Sequence, residues 1–426
     1  MKLRLDYGRQ GLEVQVPEHT QVLEMAATPG LDRVEARLEE ALAHPLGGRP
    51  LAGLAAGRSS ACVVISDITR PVPNAAILPP VLRLLEGAGI DRGRITILIA
   101  TGLHRPSEGD ELRQLVGEEI AGGGYRILNH KARARDTLVH LGQTSCGAPI
   151  WIDRAYVEAD LKIATSLIEP HLMAGYSGGR KAICPGLMGV DTMRVLHGPA
   201  LMADPRSAEG IIAGNPFHAQ SLEVAHRAGV DFTLNVCMND RRQVTGIFAG
   251  DLEAAHAAGV AFAEEKASAW LAEPADIVLT TSAGFPLDLT FYQAVKGLTA
   301  VLPIVKEGGT ILIAAQCQEG IGSPEFTQLL LETASPEAFM GRLADPDFFV
   351  IDQWQLQELC KVLRKARVGL FSEGVARYGD QLLVEQVPSI EAGLAAAVSR
   401  CVGAPTVAAV PRGPYVLTRV PGAGGR

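Results

Sequence analysis

The segment ACVVISDITRP (residues 61–71) decides the fold, because an apolar run of strand character ends abruptly in polar and charged residues. The same arrangement returns in ITILIATGLHRP (95–106) and in LKIATSLIEPH (161–171). Apolar runs that lack strict alternation are typical of parallel strands covered on both faces. Because segments with helical periodicity lie between these runs, the sequence predicts an α/β architecture with right-handed crossovers.

This pattern continues along the whole chain. Strands are predicted at 61–66, 95–100, 161–166, 277–281, 310–315 and 368–371, and helices at 74–86, 108–119, 216–228, 252–270, 290–305, 353–365 and 390–401. A chain of 426 residues exceeds what a single core usually serves. We therefore expect two α/β domains with largely parallel sheets, 1–272 and 273–426, and an active site in the cleft between them. The end of the chain, from residue 406 onward, could be a strand that returns to either domain.

The composition describes a well-packed globular protein of a reducing compartment. Hydrophobic residues make up 47% of the chain, and the seven cysteines form no CxxC pair, which argues against a disulfide scaffold or a structural zinc site. The net charge of −8 argues against nucleic-acid binding. No apolar run approaches the roughly 20 residues of a membrane helix, and the N-terminus lacks the apolar segment of a secretory signal. We expect a cytoplasmic protein that binds neither nucleic acid nor membrane.

Polar side chains follow three of the predicted strands at their carboxyl ends. Asp67, Thr69 and Arg70 follow the first strand, His104 follows the second and His171 follows the third. Ligands of open α/β sheets bind at this edge, so these side chains should converge. Histidine titrates near neutrality and suits acid–base catalysis, while the guanidinium of Arg70 matches a carboxylate. The cluster predicts an active site in which two histidines flank one substrate carbon.

A glycine-rich turn with a lysine, GYSGGRKA (175–182), follows the third strand. A phosphate-binding P-loop requires Gly, four residues and then Gly-Lys-Ser/Thr. Here Arg180 stands where the second glycine should be and Ala182 where the magnesium-binding hydroxyl should be, and Pro185 would break the following helix. Lys181 is therefore not expected to bind a nucleoside triphosphate with magnesium. On the residues alone, a solvated loop charge and a ligand-binding role both remain open for it.

A helical pattern at 188–196 ends at His197, and Gly198 and Pro199 follow as stop signals. A histidine in this position can complement the helix dipole. It can also bind a metal, although the ten histidines contain no HxxxH or HExxH pattern. A metal at His197 would therefore need further ligands from a cofactor.

A second polar cluster, DLTFYQAVK (288–296), follows the first predicted strand of the second half. Helical spacing places Tyr292 and Lys296 on one face, with Gln293 three residues before the lysine. An ordinary amphipathic helix with a surface lysine would show the same pattern. The preceding loop, rich in Gly, Ser and Pro, favours instead a wall of the interdomain cleft.

Taken together, these motifs resemble the nickel-dependent lactate racemase family of 2-hydroxyacid racemases and epimerases. The motifs that carry the resemblance are SDITRPVP (66–73), TGLHRP (101–106), EPHLMAGYSGGRKAICPG (169–186), VLHGP (195–199) and FYQAVK (291–296). They occur in the family's order, and the resemblance covers roughly residues 60–360. Five separate motifs make it specific.

The resemblance implies a nickel-pincer nucleotide as cofactor, a pyridinium mononucleotide that binds nickel through a ring carbon and two sulfurs and is covalently attached at Lys181. It also implies His197 as the fourth nickel ligand, and His104 and His171 as the acid–base pair. The other implied contacts are Asp67, Thr69, Arg70, Ser177, Gly178 and Gly179 to the cofactor, and Arg70, Tyr292, Gln293, Lys296 and Trp354 to the substrate.

The implied reaction is reversible hydride transfer from C2 of a lactate-like 2-hydroxy acid, with one histidine removing the hydroxyl proton and the other returning a proton after the keto acid rotates. Malate, another 2-hydroxyacid or a sugar acid is the alternative substrate, and malate would require a further cation, for which Arg105 and Arg180 are candidates. A non-catalytic nickel-nucleotide binding protein is the alternative from another class. Cofactor-maturation enzymes are the implied partners, and the oligomeric state does not follow from the sequence.

Overall fold

The computed structural model describes residues 1–345 and 347–422. These residues form two compact units. The central unit comprises Ala27–Glu265, and the terminal unit comprises Met1–Ala26 together with the chain from Lys266 onward. Each unit has its own six-stranded sheet and its own apolar core.

Strands and helices alternate along most of the chain. In chain order the strands are β1 (Lys2–Leu5), β2 (Leu12–Gln15), β3 (Gln21–Val22), β4 (Ala61–Ser66), β5 (Ile95–Ala100), β6 (Arg126–Asn129), β7 (Leu138–Gln143), β8 (Pro149–Asp153), β9 (Leu161–Leu167), β10 (Pro170–His171), β11 (Gly175–Tyr176), β12 (Phe232–Met238), β13 (Val244–Gly250), β14 (Ser268–Trp270), β15 (Ala275–Thr281), β16 (Val305–Ala314), β17 (Arg367–Phe371), β18 (Glu385–Gln386), β19 (Val407–Val410) and β20 (Leu417–Arg419). The α-helices are α1 (Val34–Ala43), α2 (Leu51–Ala55), α3 (Asn74–Gly87), α4 (Gly109–Val116), α5 (Glu118–Ala121), α6 (Arg154–Val157), α7 (Val190–Leu196), α8 (Pro199–Ala203), α9 (Pro216–Ala228), α10 (Leu252–Ala267), α11 (Phe291–Thr299), α12 (Pro324–Leu331), α13 (Pro336–Arg342), α14 (Gln353–Lys365) and α15 (Ile390–Ser399).

The central unit is built on a sheet with the strand order β13-β12-β9-β4-β5-β6. All neighbours are parallel except β12 and β13, which run antiparallel. Val63 of β4 lies between Ile97 of β5 and Ile163 of β9, and all three residues are fully buried. Successive residues of β4 are buried although they point to opposite faces. Layers therefore cover both faces of the sheet, which explains the continuous apolar run.

The order of the strands reverses between β4 and β9. From β4 the chain moves to β5 and β6 on one side, and it later adds β9 and β12 on the other. In a doubly wound sheet this switch point leaves a crevice at the carboxyl ends of the two strands, where ligands bind. The polar segments that follow β4 and β9 meet at this point.

The terminal unit contains a wholly parallel sheet with the order β18-β17-β16-β15-β19-β3. Helices α11 and α14 pack against each other and against β16, with Phe291, Leu298 and Leu356 in the common core. Helix α11 begins after Thr290, whose side chain accepts a hydrogen bond from the Gln293 amide as an N-cap. This cap fixes the start of the helix that carries the predicted substrate residues.

The prediction of an α/β fold with largely parallel sheets is confirmed. The strand at 61–66 and the helices at 216–228 and 353–365 have the predicted bounds. The predicted helix 108–119 is interrupted at Gly117, whose φ of 89° is not helical and separates α4 from α5. Only glycine adopts this backbone conformation without strain.

The division of the chain differs from the expected one. The sequence places residues 1–26 in the N-terminal domain, but β3 pairs with β19 and joins the terminal unit. A two-residue edge strand carries too little pattern to be recognised in a sequence. The boundary lies after Glu265 rather than after residue 272, because residues 268–270 form β14 and pair with β20. Residues 423–426 of the predicted C-terminal domain lie outside the described residues.

Candidate active site

Two charged side chains meet across the switch point of the central sheet. Arg70 follows β4, Glu169 follows β9, and the guanidinium of Arg70 forms an ion pair with the Glu169 carboxylate. Water reaches only 21% of the Arg70 side chain and 9% of the Glu169 side chain. The second carboxylate oxygen of Glu169, Oε2, is buried and has no hydrogen-bond partner among the described residues. Arg70 is thus held at the predicted edge by a carboxylate to which the sequence analysis gave no role.

Asp67 and His104 form a second pair at the same edge. Nδ1 of His104 lies 2.6 Å from Oδ2 of Asp67. The other oxygen, Oδ1, accepts hydrogen bonds from the backbone N–H of Thr69 at 3.2 Å and from its hydroxyl at 2.6 Å. Burial of the Asp67 carboxyl opposes ionisation, but the attraction and hydrogen bond of His104, with smaller effects of Thr69 and Arg70, outweigh it and lower the pKa of Asp67. Asp67 is therefore an ionised carboxylate at neutral pH.

This pairing decides where the neutral His104 ring carries its proton. An ionised carboxylate only accepts hydrogen bonds, so Nδ1 of His104 carries the proton that it donates to Asp67. Nε2 is then able to take a proton, and the carboxylate stabilises the imidazolium that results. Because 42% of the His104 side chain is exposed, a substrate can reach it. His104 has the geometry of a general base.

His171 is presented on a short hairpin. Strands β10 and β11 pair at His171 and Gly175, and Nδ1 of His171 accepts hydrogen bonds from the backbone N–H groups of Met173 at 3.3 Å and Ala174 at 3.2 Å. In the neutral ring the proton therefore resides on Nε2. The two predicted catalytic histidines thus carry their protons on opposite ring nitrogens.

The glycine turn after this hairpin is packed by protein groups. The N–H of Gly179 donates to Oδ1 of Asn235 at 2.8 Å, and the hydroxyl of Ser177 donates to a backbone carbonyl of β9 at 2.7 Å. Gly178 has a φ of 83°, and a Cβ there would lie 2.4 Å from a side-chain atom of Ile168. The turn therefore needs glycine for its close approach to the sheet. Two groups that the family resemblance assigns to the cofactor, the Ser177 hydroxyl and the Gly179 N–H, have partners within the protein.

Arg180 is buried beneath the same turn, with 1% of its surface exposed. Its guanidinium donates to the carbonyls of Ala174 at 2.8 Å and Tyr176 at 3.0 Å, and it lies 2.8 Å from Nε2 of His256. Burial lowers the pKa of Arg180 to about 9, which leaves it cationic at neutral pH. Arg180 therefore stabilises the hairpin that carries His171 by hydrogen bonds to two of its carbonyls.

Lys181 and His197 contact the same aromatic ring. Nζ of Lys181 lies 5.4 Å from the ring centroid of Phe217, and the imidazole of His197 meets that ring at 80° with the centroids 4.9 Å apart. Burial and repulsion from Lys181 lower the pKa of His197 to about 3, against a smaller opposing effect of a hydrogen bond to the Met193 backbone. His197 is therefore a neutral imidazole at physiological pH.

The lysine segment also contacts the strand end that leads to His104. The N–H of Gly102 donates to the carbonyl of Gly186 at 3.0 Å, and a Cβ at Gly186 would lie 2.8 Å from that of Ala100 at the end of β5. The two segments thus approach each other closely. The predicted residues that belong to the central unit are Asp67, Thr69, Arg70, His104, His171, Lys181 and His197.

The remaining predicted residues form a cluster in the terminal unit. The indole N–H of Trp354 donates to the hydroxyl of Tyr292 at 3.1 Å, and Nζ of Lys296 donates to Oε1 of Gln293. Nε2 of Gln355 donates to the backbone carbonyl of Tyr292 at 2.7 Å, which ties α14 to α11. The packing of α11 against α14 therefore brings Tyr292 and Trp354 into contact. Gln293 and Lys296 are in contact because they lie one turn apart within α11.

Glu358 lies one helical turn after Trp354 and was missed by the sequence analysis. Its side chain is buried, and Nζ of Lys361 donates to it at 2.7 Å. Burial raises the pKa of Glu358 to about 7, although Lys361 opposes the shift. The signal was present in the sequence as QWQLQE (353–358), six buried residues of which four are polar. Such a run is uncommon in a core helix.

Within residues 1–345 and 347–422, no group of three or more His, Cys, Asp or Glu side chains is placed to hold a metal ion. Over the same residues, no helix combines the length and the apolar character that crossing a membrane requires. All seven cysteines lie in this part of the chain and none forms a disulfide.

This doubly wound α/β fold carries a carboxylate-paired histidine and an arginine at the switch point of its sheet, where proteins of this architecture bind their ligands. Two family models match this chain: the lactate racemase N-terminal domain over residues 7–210 and the lactate racemase C-terminal domain over residues 271–418. The chain belongs to the lactate racemase family and is an isomerase.

Individual relatives agree with this assignment. The lactate racemase of Thermoanaerobacterium thermosaccharolyticum is 33% identical over 372 residues, which cover 86% of this chain and 87% of the relative. The lactate racemase of Lactiplantibacillus plantarum is 37% identical over 328 residues, which cover 76% of this chain and 77% of the relative. The solved lactate racemase apoprotein of T. thermosaccharolyticum superposes with a TM-score of 0.92 at 31% identity, covering 98% of this chain and 100% of that one. A Thermotoga maritima protein with a TM-score of 0.69 and 17% identity, over 91% of this chain and 97% of that one, shares the fold.

Proposed function

We propose that this isomerase inverts the configuration at C2 of lactate, using a nickel-pincer nucleotide tethered to Lys181. The observation that carries the proposal is the pairing of Lys181 and His197 on one aromatic ring, beside the segment that leads to His104. The names of the two relatives support lactate as the substrate. The family resemblance supports the cofactor.

The donor set fits this cofactor. A metal ligand must be deprotonated, and the pKa of about 3 leaves the His197 imidazole neutral across the physiological range. An imidazole is a ligand that suits nickel, so His197 would hold the metal of this cofactor. The amine of Lys181 lies against the same ring as His197, so a cofactor tethered at Lys181 would lie near this imidazole. When bound, the cofactor supplies the group that accepts and returns the C2 hydride.

The protein's own residues handle the proton and the carboxylate. Nε2 of His104 takes the hydroxyl proton of one enantiomer, and Asp67 stabilises the imidazolium through Nδ1. Nε2–H of His171, the proton-bearing nitrogen of its neutral ring, donates a hydrogen bond to the C2 oxygen from its own hairpin, and the proton held on Nε2 of His104 returns to that oxygen. Arg70 uses Nη1 for Glu169 and has further N–H donors of its guanidinium for the substrate carboxylate. The family resemblance supports Lys296 as a second cation and Tyr292, Gln293 and Trp354 as further substrate contacts.

The positions of two other arginines favour lactate over malate. A dicarboxylate would need a further cation, and Arg180 is buried against backbone carbonyls. Arg105 forms a bidentate pair with Glu111, with N–O distances of 2.9 and 2.8 Å. Both candidates are therefore engaged by protein groups, and a second substrate carboxylate would have to displace one of those partners.

The experiment is racemisation by enzyme that has been matured with its cofactor. L-lactate and L-malate are incubated separately, and both enantiomers are measured by chiral chromatography. We expect D-lactate to form much faster than D-malate, and the variants H104Q and H171Q to retain nickel but lose racemisation. Full activity in both variants would support a non-catalytic role for the two histidines and would overturn the mechanism. Equal rates on malate would overturn the substrate assignment.

A further inference from the structure

The turn that begins α9 contacts both parts of the central site. Asn215 is 1% exposed and caps α9 by accepting a hydrogen bond from the N–H of His218 at 3.0 Å. Its amide nitrogen donates to the carbonyls of Met173 at 3.0 Å and Ile211 at 2.9 Å. Met173 belongs to the turn whose N–H groups bind Nδ1 of His171. Asn215 therefore connects the start of α9 to the hairpin of His171.

Two residues further on, Phe217 is fully buried between the cofactor-anchoring groups. Its ring contacts Lys181 at 5.4 Å and His197 at 4.9 Å. Helix α9 also packs against the short helix that contains Lys181 and against α7, which ends at His197. Pro216 stands at the first helical position, where its fixed φ favours the start of the helix. The cap and the proline thus fix where α9 begins, and with it the place of Phe217 in the first turn of the helix.

We propose that Phe217 is a positioning residue for the cofactor anchor, and that Asn215 couples this anchor to the hairpin of His171. The proposal rests on the proposed function and adds to it two residues that bind neither substrate nor metal. A lysine side chain has several rotatable bonds, so holding its amine in one place costs conformational entropy. A metal-binding imidazole must also be held within narrow limits of distance and angle. One buried ring that touches both groups restricts both at once.

The first test uses the apoprotein, produced without maturation enzymes, and measures how fast Lys181 is acetylated by acetic anhydride, with peptide mass spectrometry as the readout. In F217L the amine loses the aromatic ring that covers it and gains access to the reagent. We expect acetylation of Lys181 to be faster by about three-fold or more. The acetylation of Lys306, which is in the terminal unit, provides an internal reference.

Phe232 provides the matched control. It is 1% exposed, it lies in the core of the same unit at the start of β12, and it makes neither of the two ring contacts of Phe217. F232L should lose stability as F217L does, but it should leave the acetylation rate of Lys181 unchanged. If both variants accelerate the acetylation equally, Phe217 is only a core residue and the proposal is overturned.

The second test measures cofactor loading after co-expression with the maturation enzymes. We expect nickel per protein and the modified fraction of the Lys181 peptide to fall on the order of ten-fold in F217L, the range seen when a residue that orients a metal ligand is removed. F217Y keeps the ring and should restore most of the loading. N215D keeps the cap but loses both amide donations, so it should lower racemisation more than loading, because it releases the hairpin of His171.

The two tests distinguish a failure of the positioning role of Phe217 from a failure of the proposed function, on which that role rests. If the wild-type chain itself takes up no nickel, the proposed function fails, whereas the acetylation test still decides the role of Phe217. If the wild-type chain is loaded and folded F217L is loaded equally, the proposed function stands and the positioning role is overturned.

Discussion

Replacing Asp67 with asparagine tests whether the carboxylate sets the proton arrangement of His104. The carboxylate accepts the Nδ1 proton at 2.6 Å, while Thr69 occupies its other oxygen. An asparagine side chain has no charge, and it can turn its NH₂ group toward Nδ1. Nε2 of His104 would then carry the ring proton, and the base would be lost.

The expected magnitude follows from two contributions. Opposite charges about 4 Å apart attract each other by about 1 kcal/mol in water and about 4 kcal/mol near a protein surface. Because 42% of the His104 side chain is exposed, we use the lower part of this range, about 1–2 kcal/mol, which corresponds to about 5–30-fold. A general base accelerates a reaction by about 10²–10⁴-fold, and part of this acceleration is lost when Nε2 carries the ring proton. We therefore expect kcat for lactate racemisation to fall by about 10²-fold or more in D67N.

The assay is the initial rate of D-lactate formation per bound nickel, with a double-mutant cycle. Adding D67N to H104Q should not lower the rate per nickel any further, because the carboxylate acts on the reaction through the imidazole of His104. The matched control is D153N, because Asp153 binds Nδ1 of His130 at 2.8 Å in a buried pair outside the proposed site. D153N should lower stability and keep its rate per nickel. A D67N rate within three-fold of wild type, or equal losses in both backgrounds, would refute the reasoning.

Three further predictions concern stability. Burial and nearby cations lower the pKa values of His197, His218 and His256 to about 3, 4 and 3, so unfolding takes up protons as the pH falls below about 6.5. The free energy of unfolding should therefore drop by up to about 1.4 kcal/mol per pH unit for each histidine. Measured by urea denaturation at several pH values, the unfolding free energy of H256Q should fall less steeply with decreasing pH than that of the wild type, and equal pH dependences would contradict this. Burial raises the pKa of Glu358 to about 7, so the protonated carboxyl contributes its full stability below about pH 4.5, and this contribution is lost as the pH rises through 7. Relative to wild type, the unfolding free energy of E358Q should increase by about 2–3 kcal/mol between pH 4.5 and 8. A difference that stays constant with pH would contradict this. R180K keeps the buried charge but loses the forked bonds to two carbonyls, so urea denaturation should show a loss of about 2 kcal/mol or more, and unchanged stability would show that these bonds do not hold the hairpin.

The sequence was most informative where the pattern was strong and local. The strand at 61–66 is a continuous apolar run that ends abruptly in polar residues, the helix at 353–365 shows helical periodicity, and both have the predicted bounds. The carboxyl-end rule placed Asp67 and His104 at one edge, and the structure joins them directly. The rule that ligands bind at the carboxyl ends of strands predicts which side chains lie near one another, but it does not predict which of them form hydrogen bonds or ion pairs. The Asp67–His104 bond and the Arg70–Glu169 pair therefore had to come from the structure.

Other features depended on contacts between residues that are distant in sequence. The sequence shows that glycines follow His171, but the close approach of Gly178 to Ile168, which requires glycine at this position, is visible only in the structure. Phe217 was passed over because a phenylalanine in a helix is usually a core residue, and its two contacts lie on separate segments. The two-residue strand β3 carries no periodic signal, so the place of residues 1–26 could not be predicted.

The proposed function depends on Lys181 carrying the cofactor and on His197 binding its metal. The measurement is the mass of the Lys181 peptide together with the nickel content of protein co-expressed with the maturation enzymes, for the wild-type chain and for H197A. We expect a mass increase at Lys181 and about one nickel per wild-type chain, and loss of most of the nickel in H197A. An unmodified Lys181 and no nickel in the wild-type chain under these conditions would contradict it.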